Sequence, residues 1–224
     1  MKNELEVKKW VEDESWYQKI ELSNGVVTNG WVSINSRLKY FDYLDFKDKT
    51  VLDIGCNSGG QCLWAKKNGA KRVVGYDIDE KRIKQANTLK EIEGLDIDFQ
   101  VKDLFELDSH DQFDFVFCIS VLTEVEDIIG GLKVIKKILR DTAFIEISLA
   151  KPAFYLSFSK RWLKGYHTIS RGQAVMEIRE TKNGYMIDPS LGAVKGIFGS
   201  QFDVTKVGKG ERYDLVKIKR CSSL

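Results

Sequence analysis

Apolar residues along the chain form two kinds of pattern, short continuous runs and sets with helical spacing. The continuous runs predict strands at 50–54, 72–76, 97–101, 113–119 and 142–148. Between them, apolar residues recur every three or four positions, which predicts helices at 59–68, 80–93 and 128–140. This alternation predicts an α/β fold built on a doubly wound, mostly parallel sheet.

The regions that flank this alternation predict further elements. Residues 1–45 are expected to form an N-terminal helical segment that acts as a brace or as a lid. The first twenty residues predict one or two amphipathic helices, whose apolar residues are Leu5, Trp10, Val11, Trp16, Tyr17 and Ile20. A helix at 33–44 should follow, and the main domain should span 46–224.

The C-terminal part breaks the alternation. Residues 150–186 are aromatic and basic, and we expect an insertion that either lines an acceptor pocket or is a helical decoration. Asp188-Pro189-Ser190 predicts a helix start with Pro189 at an early helical position. Two antiparallel strands should then close the sheet, at 201–207 and 212–219, joined by Gly208-Lys209-Gly210.

Composition narrows the class of protein. The chain has 224 residues, of which 43% are hydrophobic. Its formal net charge of +2 neither requires nor excludes a nucleic-acid partner. It has no apolar run of about 18 residues, so no membrane span is expected. The charged N-terminus and four cysteines without C-x-x-C spacing predict a cytoplasmic protein with reduced cysteines and no metal.

Residues 51–60, VLDIGCNSGG, combine a strand, a tight glycine turn and the start of a helix. Glycines let the backbone approach a ligand, and a helix N-terminus offers unpaired N–H groups. The next strand ends in Asp77, 24 positions after Asp53, which is close to the spacing in βαβ nucleotide sites. The alternative is an ordinary tight turn in another α/β protein.

The pattern D-x-G-x-[GN]-x-G, followed by a strand-end acid, resembles motif I of the class I S-adenosylmethionine (SAM) methyltransferases. The resemblance implies SAM as cofactor and a Rossmann-like sheet with a C-terminal antiparallel hairpin. It implies that the turn holds the methionine part of SAM and that Asp77 binds both ribose hydroxyls. Asn57 replaces a usual glycine, and asparagine tolerates a left-handed backbone. The turn residues in the implied cofactor set are Asp53, Gly55, Cys56, Asn57 and Gly59.

Other stretches extend the resemblance. Asp103 in VKDLF resembles the acid that meets the adenine amino group, and FDFVFCISVLTEVED resembles motif IV. Ile78, Leu104 and Ser120 complete the implied cofactor set. WYQKIELSNGVVTNG is similar to the lead-in of the tRNA 5-methoxyuridine methyltransferase-like subgroup.

Two departures from this subgroup affect the expected substrate and catalytic residues. Glu124 stands where the subgroup has histidine, and the chain lacks the subgroup's long N-terminal extension, which makes tRNA a less favoured substrate. Methyl transfer is an in-line displacement that depends mainly on alignment, and an oxygen nucleophile gains from a base. Candidate bases are Glu124, Glu146 and His167, each with a purely structural alternative.

Three functions remain open at this point. The first is O-methylation of a small-molecule hydroxyl, on a sugar or a secondary metabolite. The second is modification of a tRNA wobble uridine, with SAM or a carboxylated SAM. The third is a SAM-binding protein without catalysis.

Overall fold

The computed structural model describes residues 3–149, 167–171, 174–181, 184–209 and 213–222. The helices are α1 (Glu4–Asp13), α2 (Asn35–Leu38), α3 (Gly60–Lys67), α4 (Glu80–Glu93), α5 (Ile128–Ile138) and α6 (Leu191–Phe198), with a 3-10 turn at Leu104–Glu106. The strands are β1 (Gln18–Lys19), β2 (Val32–Ser33), β3 (Thr50–Ile54), β4 (Arg72–Asp77), β5 (Asp98–Val101), β6 (Phe113–Cys118), β7 (Leu139–Ile147), β8 (His167–Arg171), β9 (Ala174–Thr181), β10 (Gly184–Pro189), β11 (Phe202–Lys209) and β12 (Asp214–Arg220). None of the helices in these ranges is long and apolar enough to cross a membrane.

The main sheet has seven strands in the order β11-β12-β7-β6-β3-β4-β5. β3 pairs in parallel with β4, and β4 with β5, whereas β12 runs antiparallel to both β7 and β11. The predicted fold class, a mostly parallel Rossmann-like sheet with an antiparallel C-terminal pair, is therefore confirmed.

The chain divides into two compact units, and the first comprises residues 1–107 and 113–117. β3 and β4 of this unit are almost entirely buried, as expected for strands of a sheet covered by helices. The N–H and hydroxyl of Thr50 both donate to Asp114 Oδ2, at 2.8 and 2.9 Å, which fixes the starts of β3 and β6 beside each other.

α4 has the boundaries that the sequence predicts, because both of its ends carry local stop signals. The Asp79 carboxylate accepts hydrogen bonds from the N–H groups of Lys81 and Arg82 at the N-terminus. Gly94 ends the helix in the left-handed conformation, with φ of 65°.

The N-terminal region contains less helix than expected. α1 buries Val7 and Val11 but leaves Leu5, one of the apolar residues named above, 80% exposed. After α1 the chain forms the short parallel pair β1–β2, and the helix expected at 33–44 is reduced to α2. The role of this region as a brace or a lid stays a prediction.

The second unit comprises residues 108–112 and 118–224. It contains the antiparallel strands β7, β12 and β11, and a separate antiparallel sheet in the order β10-β9-β8. The described residues between 167 and 189 are therefore strands rather than the helical decoration considered above. Residues 150–166 of the expected insertion lie outside the described residues.

Two local predictions in this unit are wrong. Pro189 is the last residue of β10 rather than an early helical residue, and Ser190 is the N-cap, whose Oγ accepts from Ala193 N–H at 3.1 Å. β10 is an edge strand, where a residue without an N–H is tolerated. Gly208 and Lys209 belong to β11, which continues into the expected turn with a bulge between Lys206 and Gly208.

Candidate functional site

The turn after β3 is shaped by three residues with a left-handed backbone. Gly55, Asn57 and Gly59 have φ of 69°, 51° and 84°, a region that glycine adopts readily and that asparagine tolerates better than most other residues. The N–H groups of Gly55 and Cys56 both donate to the carbonyl of Tyr76, at 2.7 and 2.9 Å, which ties the turn to the end of β4. The predicted strand, glycine turn and helix are thus present as expected.

Asp77, the last residue of β4, faces this turn. Its Oδ2 accepts from Asn57 N–H at 2.8 Å, and its Oδ1 accepts from Asp79 N–H at 2.9 Å. These two bonds fix the orientation of a half-buried carboxylate while leaving each oxygen further acceptor capacity. Such a carboxylate can accept two hydrogen bonds from a diol.

The side chain of Asn57 stabilises the turn from within. Its Oδ1 accepts from Ser58 N–H at 2.9 Å, and the buried Ser58 hydroxyl donates to Gln85 Oε1 at 3.0 Å. The turn is therefore linked to α4 as well as to β4.

Asp53 lies beneath the turn and is fully buried. Its Oδ2 accepts from the Cys62 thiol at 3.6 Å, and its Oδ1 has no hydrogen-bond partner among the described residues. Burial raises the pKa of Asp53 to about 8, and the charge of Asp77 adds to the rise, although the Cys62 hydrogen bond and the charge of Arg37 oppose it. Asp53 is thus largely protonated at neutral pH.

Apolar side chains are exposed near the ends of β4 and β5. Ile78 is 72% exposed, Val101 53% and Phe105 45%. The sequence motifs identified Ile78 but not Val101 or Phe105, although Val101 ends the predicted strand and Phe105 lies two residues after Asp103. These side chains offer an apolar surface to a flat ligand.

Asp103 begins the 3-10 turn Leu104–Glu106. Its Oδ1 accepts from Phe105 N–H at 2.8 Å, and its own N–H donates to the Glu106 carboxylate at 3.3 Å. Leu104 is buried. Contacts of Asp103 and Leu104 with a cofactor remain predictions, and capping is the role that the geometry gives Asp103.

Two of the remaining predicted residues come together in the second unit. The Ser120 hydroxyl donates to Glu146 Oε2 at 2.5 Å, and Glu146 is fully buried on β7. Ser120 has φ of 61°, an uncommon conformation for serine. Glu124 lies in an exposed turn, and His167 begins β8 with a side chain outside the described part of the chain.

Comparison with known families finds a match for the central part of the chain. Residues 52–147, from β3 to the end of β7, match the family model described as "Methyltransferase domain". This segment is therefore similar to methyltransferase domains. It contains the glycine turn, Asp77 and Glu146, so these residues belong to the matched region.

Curated relatives match this domain over limited stretches. A tRNA U34 carboxymethyltransferase of Campylobacter hominis is 27% identical over 134 residues, which are 56% of this chain and 47% of that protein. A ribosomal protein L11 methyltransferase of Glaesserella parasuis serovar 5 is 43% identical over 58 residues, 26% of this chain and 20% of that protein. The matches thus span less than half the length of these relatives.

A solved structure matches the whole fold. The N-terminal domain of EvdMO1 with S-adenosylhomocysteine (SAH) bound superposes on this chain with a TM-score of 0.72 at 15% identity. The superposition covers 99% of this chain and 98% of that one. The two chains therefore share a fold over nearly their whole length.

Proposed function

We propose that the protein is a class I SAM-dependent methyltransferase that transfers a methyl group to a hydroxyl of a small molecule, such as a sugar or a secondary metabolite. The observation that carries the proposal is the Asp77 carboxylate, held by the N–H groups of Asn57 and Asp79 beside the glycine turn. A carboxylate at this strand end suits both hydroxyls of a ribose.

The other residues of the first unit fit the same cofactor. The exposed Ile78, Val101 and Phe105 suit the faces of an adenine ring, and the glycine turn allows close approach of a charged amino-acid group. SAM supplies a methyl group on a sulfonium, and the protein's task is to align this methyl with the acceptor oxygen.

The Ser120–Glu146 pair is our candidate for activating the acceptor. A buried carboxylate can accept the proton of a hydroxyl either directly or through the serine. Glu124 is exposed and therefore a weaker candidate, and His167 remains a third.

A small-molecule acceptor is suggested by a structural neighbour rather than by charge, because a net charge of +2 neither requires nor excludes a nucleic-acid partner. The same EvdMO1 domain was also crystallised in the presence of SAH and D-fucose, so sugars belong in the first acceptor screen.

Modification of a tRNA wobble uridine is the second candidate. It is supported by the similarity to the tRNA U34 carboxymethyltransferase over 56% of the chain. Binding of tRNA that weakens steeply with added salt, together with methyl transfer to it, would favour this function over the first.

Calorimetric titration with SAH tests the cofactor site. The wild type is expected to bind on the micromolar scale, and Asp77→Ala is expected to bind roughly 10- to 100-fold more weakly because a charge-assisted pair of hydrogen bonds is lost. Asp79→Asn is the matched control. It removes a neighbouring charge but keeps a good N-cap and the N–H that donates to Asp77.

Unchanged affinity in Asp77→Ala would contradict the proposed cofactor site. Absence of binding in the wild type would contradict the function itself. If SAH binds, screening hydroxyl compounds for SAH production from SAM separates an enzyme from a SAM-binding protein without catalysis.

A further inference from the structure

The N-terminus of α3 lacks a side-chain cap for a steric reason. The N-cap residue is Gly59, with φ of 84°, and a Cβ at this position would lie 2.6 Å from Phe99 Cζ. Serine, threonine, aspartate or asparagine, the usual N-caps, therefore do not fit here. The N–H of Gly60 needs a partner from elsewhere in the chain.

Gln18 supplies this partner from 42 residues away in sequence. Its Oε1 accepts from Gly60 N–H at 3.0 Å, and its Nε2 donates to Gln61 Oε1 at 2.9 Å. The same Nε2 lies 3.4 Å from the carbonyl oxygen of Cys56. Gln18 is only 3% exposed, so one buried amide contacts both ends of the glycine turn.

The segment that carries Gln18, residues 16–32, is fixed by contacts of its own, and we call it the strap. The Thr28 hydroxyl donates to the carbonyl of Gln18 at 2.7 Å and accepts from Ile20 N–H at 2.8 Å. Val32 N–H donates to the carbonyl of Tyr17 at 3.0 Å. Within the strap, Gly30 packs so closely against Gln18 that a Cβ at position 30 would lie 2.2 Å from the backbone carbonyl oxygen of Gln18. Gln18 is thus presented by a rigid support.

We propose that Gln18 is a positioning residue for the cofactor, acting through the backbone of the glycine turn. By bridging Cys56 and Gly60, its amide holds the turn between them in the shape that places Asn57 N–H against Asp77. A turn that is already ordered loses less conformational freedom when a ligand binds, so affinity rises. Gln18 alone, and not the rest of the strap, is on this basis part of the cofactor site, and the inference rests on the proposed function.

Gln18→Met tests the proposal, because methionine has a similar length and no hydrogen-bonding amide. We expect SAH affinity to fall roughly tenfold, as for the loss of buried hydrogen bonds. We also expect the Gly60 amide of the protein without ligand to exchange with deuterium roughly tenfold faster, as for the loss of a cap. Calorimetry and amide exchange measured by NMR give the two values independently.

Thr28→Val is the matched control, since it removes two hydrogen bonds within the strap without touching the turn. It is expected to lower the melting temperature while leaving SAH affinity within about twofold of the wild type. Gln18→Glu keeps an acceptor for Gly60 N–H but cannot donate to Cys56 or Gln61. It should keep the slow exchange of Gly60 and bind SAH with intermediate affinity.

Equal SAH affinity in the wild type and Gln18→Met would overturn the inference. If Thr28→Val weakened SAH binding as much as Gln18→Met, the inference would also fail, because loosening of the strap would then explain the effect. Fast deuterium exchange of the Gly60 amide in Gln18→Glu would contradict it as well. Should the wild type not bind SAH at all, the proposed function fails, and the exchange measurement still reports whether Gln18 caps α3.

Discussion

The backbone N–H of Asn57 donates to Asp77 Oδ2 over 2.8 Å, which joins the glycine turn to the carboxylate at the end of β4. The donor reaches this position because Asn57 has a left-handed backbone with φ of 51°. The conformation of Asn57 therefore supplies one of the two hydrogen bonds that orient the carboxylate we assign to the ribose.

Asn57→Val should both destabilise the fold and weaken cofactor binding. A β-branched residue in the left-handed region costs about 1–2 kcal/mol, and the hydrogen bond from Ser58 to Asn57 Oδ1 is lost as well. Asn57→Gly should be tolerated far better, because glycine adopts this φ without strain. Urea unfolding and SAH calorimetry measure the two effects.

Asp48→Val is the control for backbone strain alone. Asp48 also has a positive φ, 61°, but is exposed and precedes β3 rather than following it. This variant should lose stability and keep SAH affinity. Equal weakening of SAH binding by both valine variants would argue against a specific role of Asn57.

Gly59→Ala should be among the most damaging small substitutions in the turn. The new methyl group would meet Phe99 Cζ at 2.6 Å, in addition to the strain of φ of 84°. Gly25 has φ of 83° with open space around it, so Gly25→Ala carries the backbone strain alone. We expect Gly59→Ala to cost about 1–3 kcal/mol more than Gly25→Ala in free energy of unfolding.

The double variant Gly59→Ala/Phe99→Leu separates the steric cause from others. A smaller side chain at position 99 should recover part of the lost stability relative to the sum of the two single changes. Strict additivity of the two changes would mean that the ring does not limit the residue at position 59.

Much of the first unit was predictable because its signals are local. The boundaries of α4 follow from a capping aspartate, Asp79, and a left-handed glycine, Gly94, at its ends. The glycine turn and Asp77 were predicted from their local sequence pattern together with its resemblance to motif I, since turn chemistry depends on the residues that form the turn.

The parts that were missed depend on contacts between distant residues. Gln18 lies on a two-residue strand, and its partner Gly60 is 42 positions away, so no local periodicity reveals it. Pro189 was predicted to lie in a helix because the sequence does not reveal that β10 is an edge strand, where a proline is tolerated at the strand end. Exposure of Val101 and Phe105 likewise depends on tertiary packing rather than on spacing.

The buried carboxyl of Asp53 should make stability depend on pH. Its pKa is raised from 3.8 to about 8 in the folded protein, chiefly by burial, so between these values the folded state holds a proton that the unfolded state has lost. The stabilising contribution of the protonated Asp53 is complete below the unfolded value of 3.8 and is lost as pH rises through about 8. Over this interval the free energy of unfolding should fall by at most about 1.4 kcal/mol per pH unit, since one proton is involved.

Asp53→Asn keeps the shape of the side chain and removes its titration. The difference in free energy of unfolding between wild type and Asp53→Asn should fall steadily from about pH 5 to pH 8, measured by urea unfolding. Effects of other titrating groups cancel in this difference. Parallel stability curves would show that Asp53 ionises normally in the folded protein.

Glu146→Gln should impair methyl transfer without affecting SAH binding. Glu146 is fully buried and accepts a hydrogen bond from Ser120, whereas the side-chain amide of glutamine cannot take up a proton from the acceptor. Loss of a general base typically lowers kcat by about 10²- to 10⁴-fold. The rate of SAH formation with the acceptor found by screening gives kcat and KM separately.

Glu124→Gln provides the comparison that decides between the two carboxylates. Glu124 lies in an exposed turn, so its substitution should change kcat by less than about twofold. The opposite ranking, with Glu124→Gln inactive and Glu146→Gln active, would assign the base to Glu124. Normal kcat in both variants would leave two explanations, His167 as the base or a displacement that proceeds by alignment alone. The pH dependence of kcat in the wild type and in His167→Gln distinguishes them. If His167 is the base, kcat of the wild type falls at low pH and the variant loses this dependence.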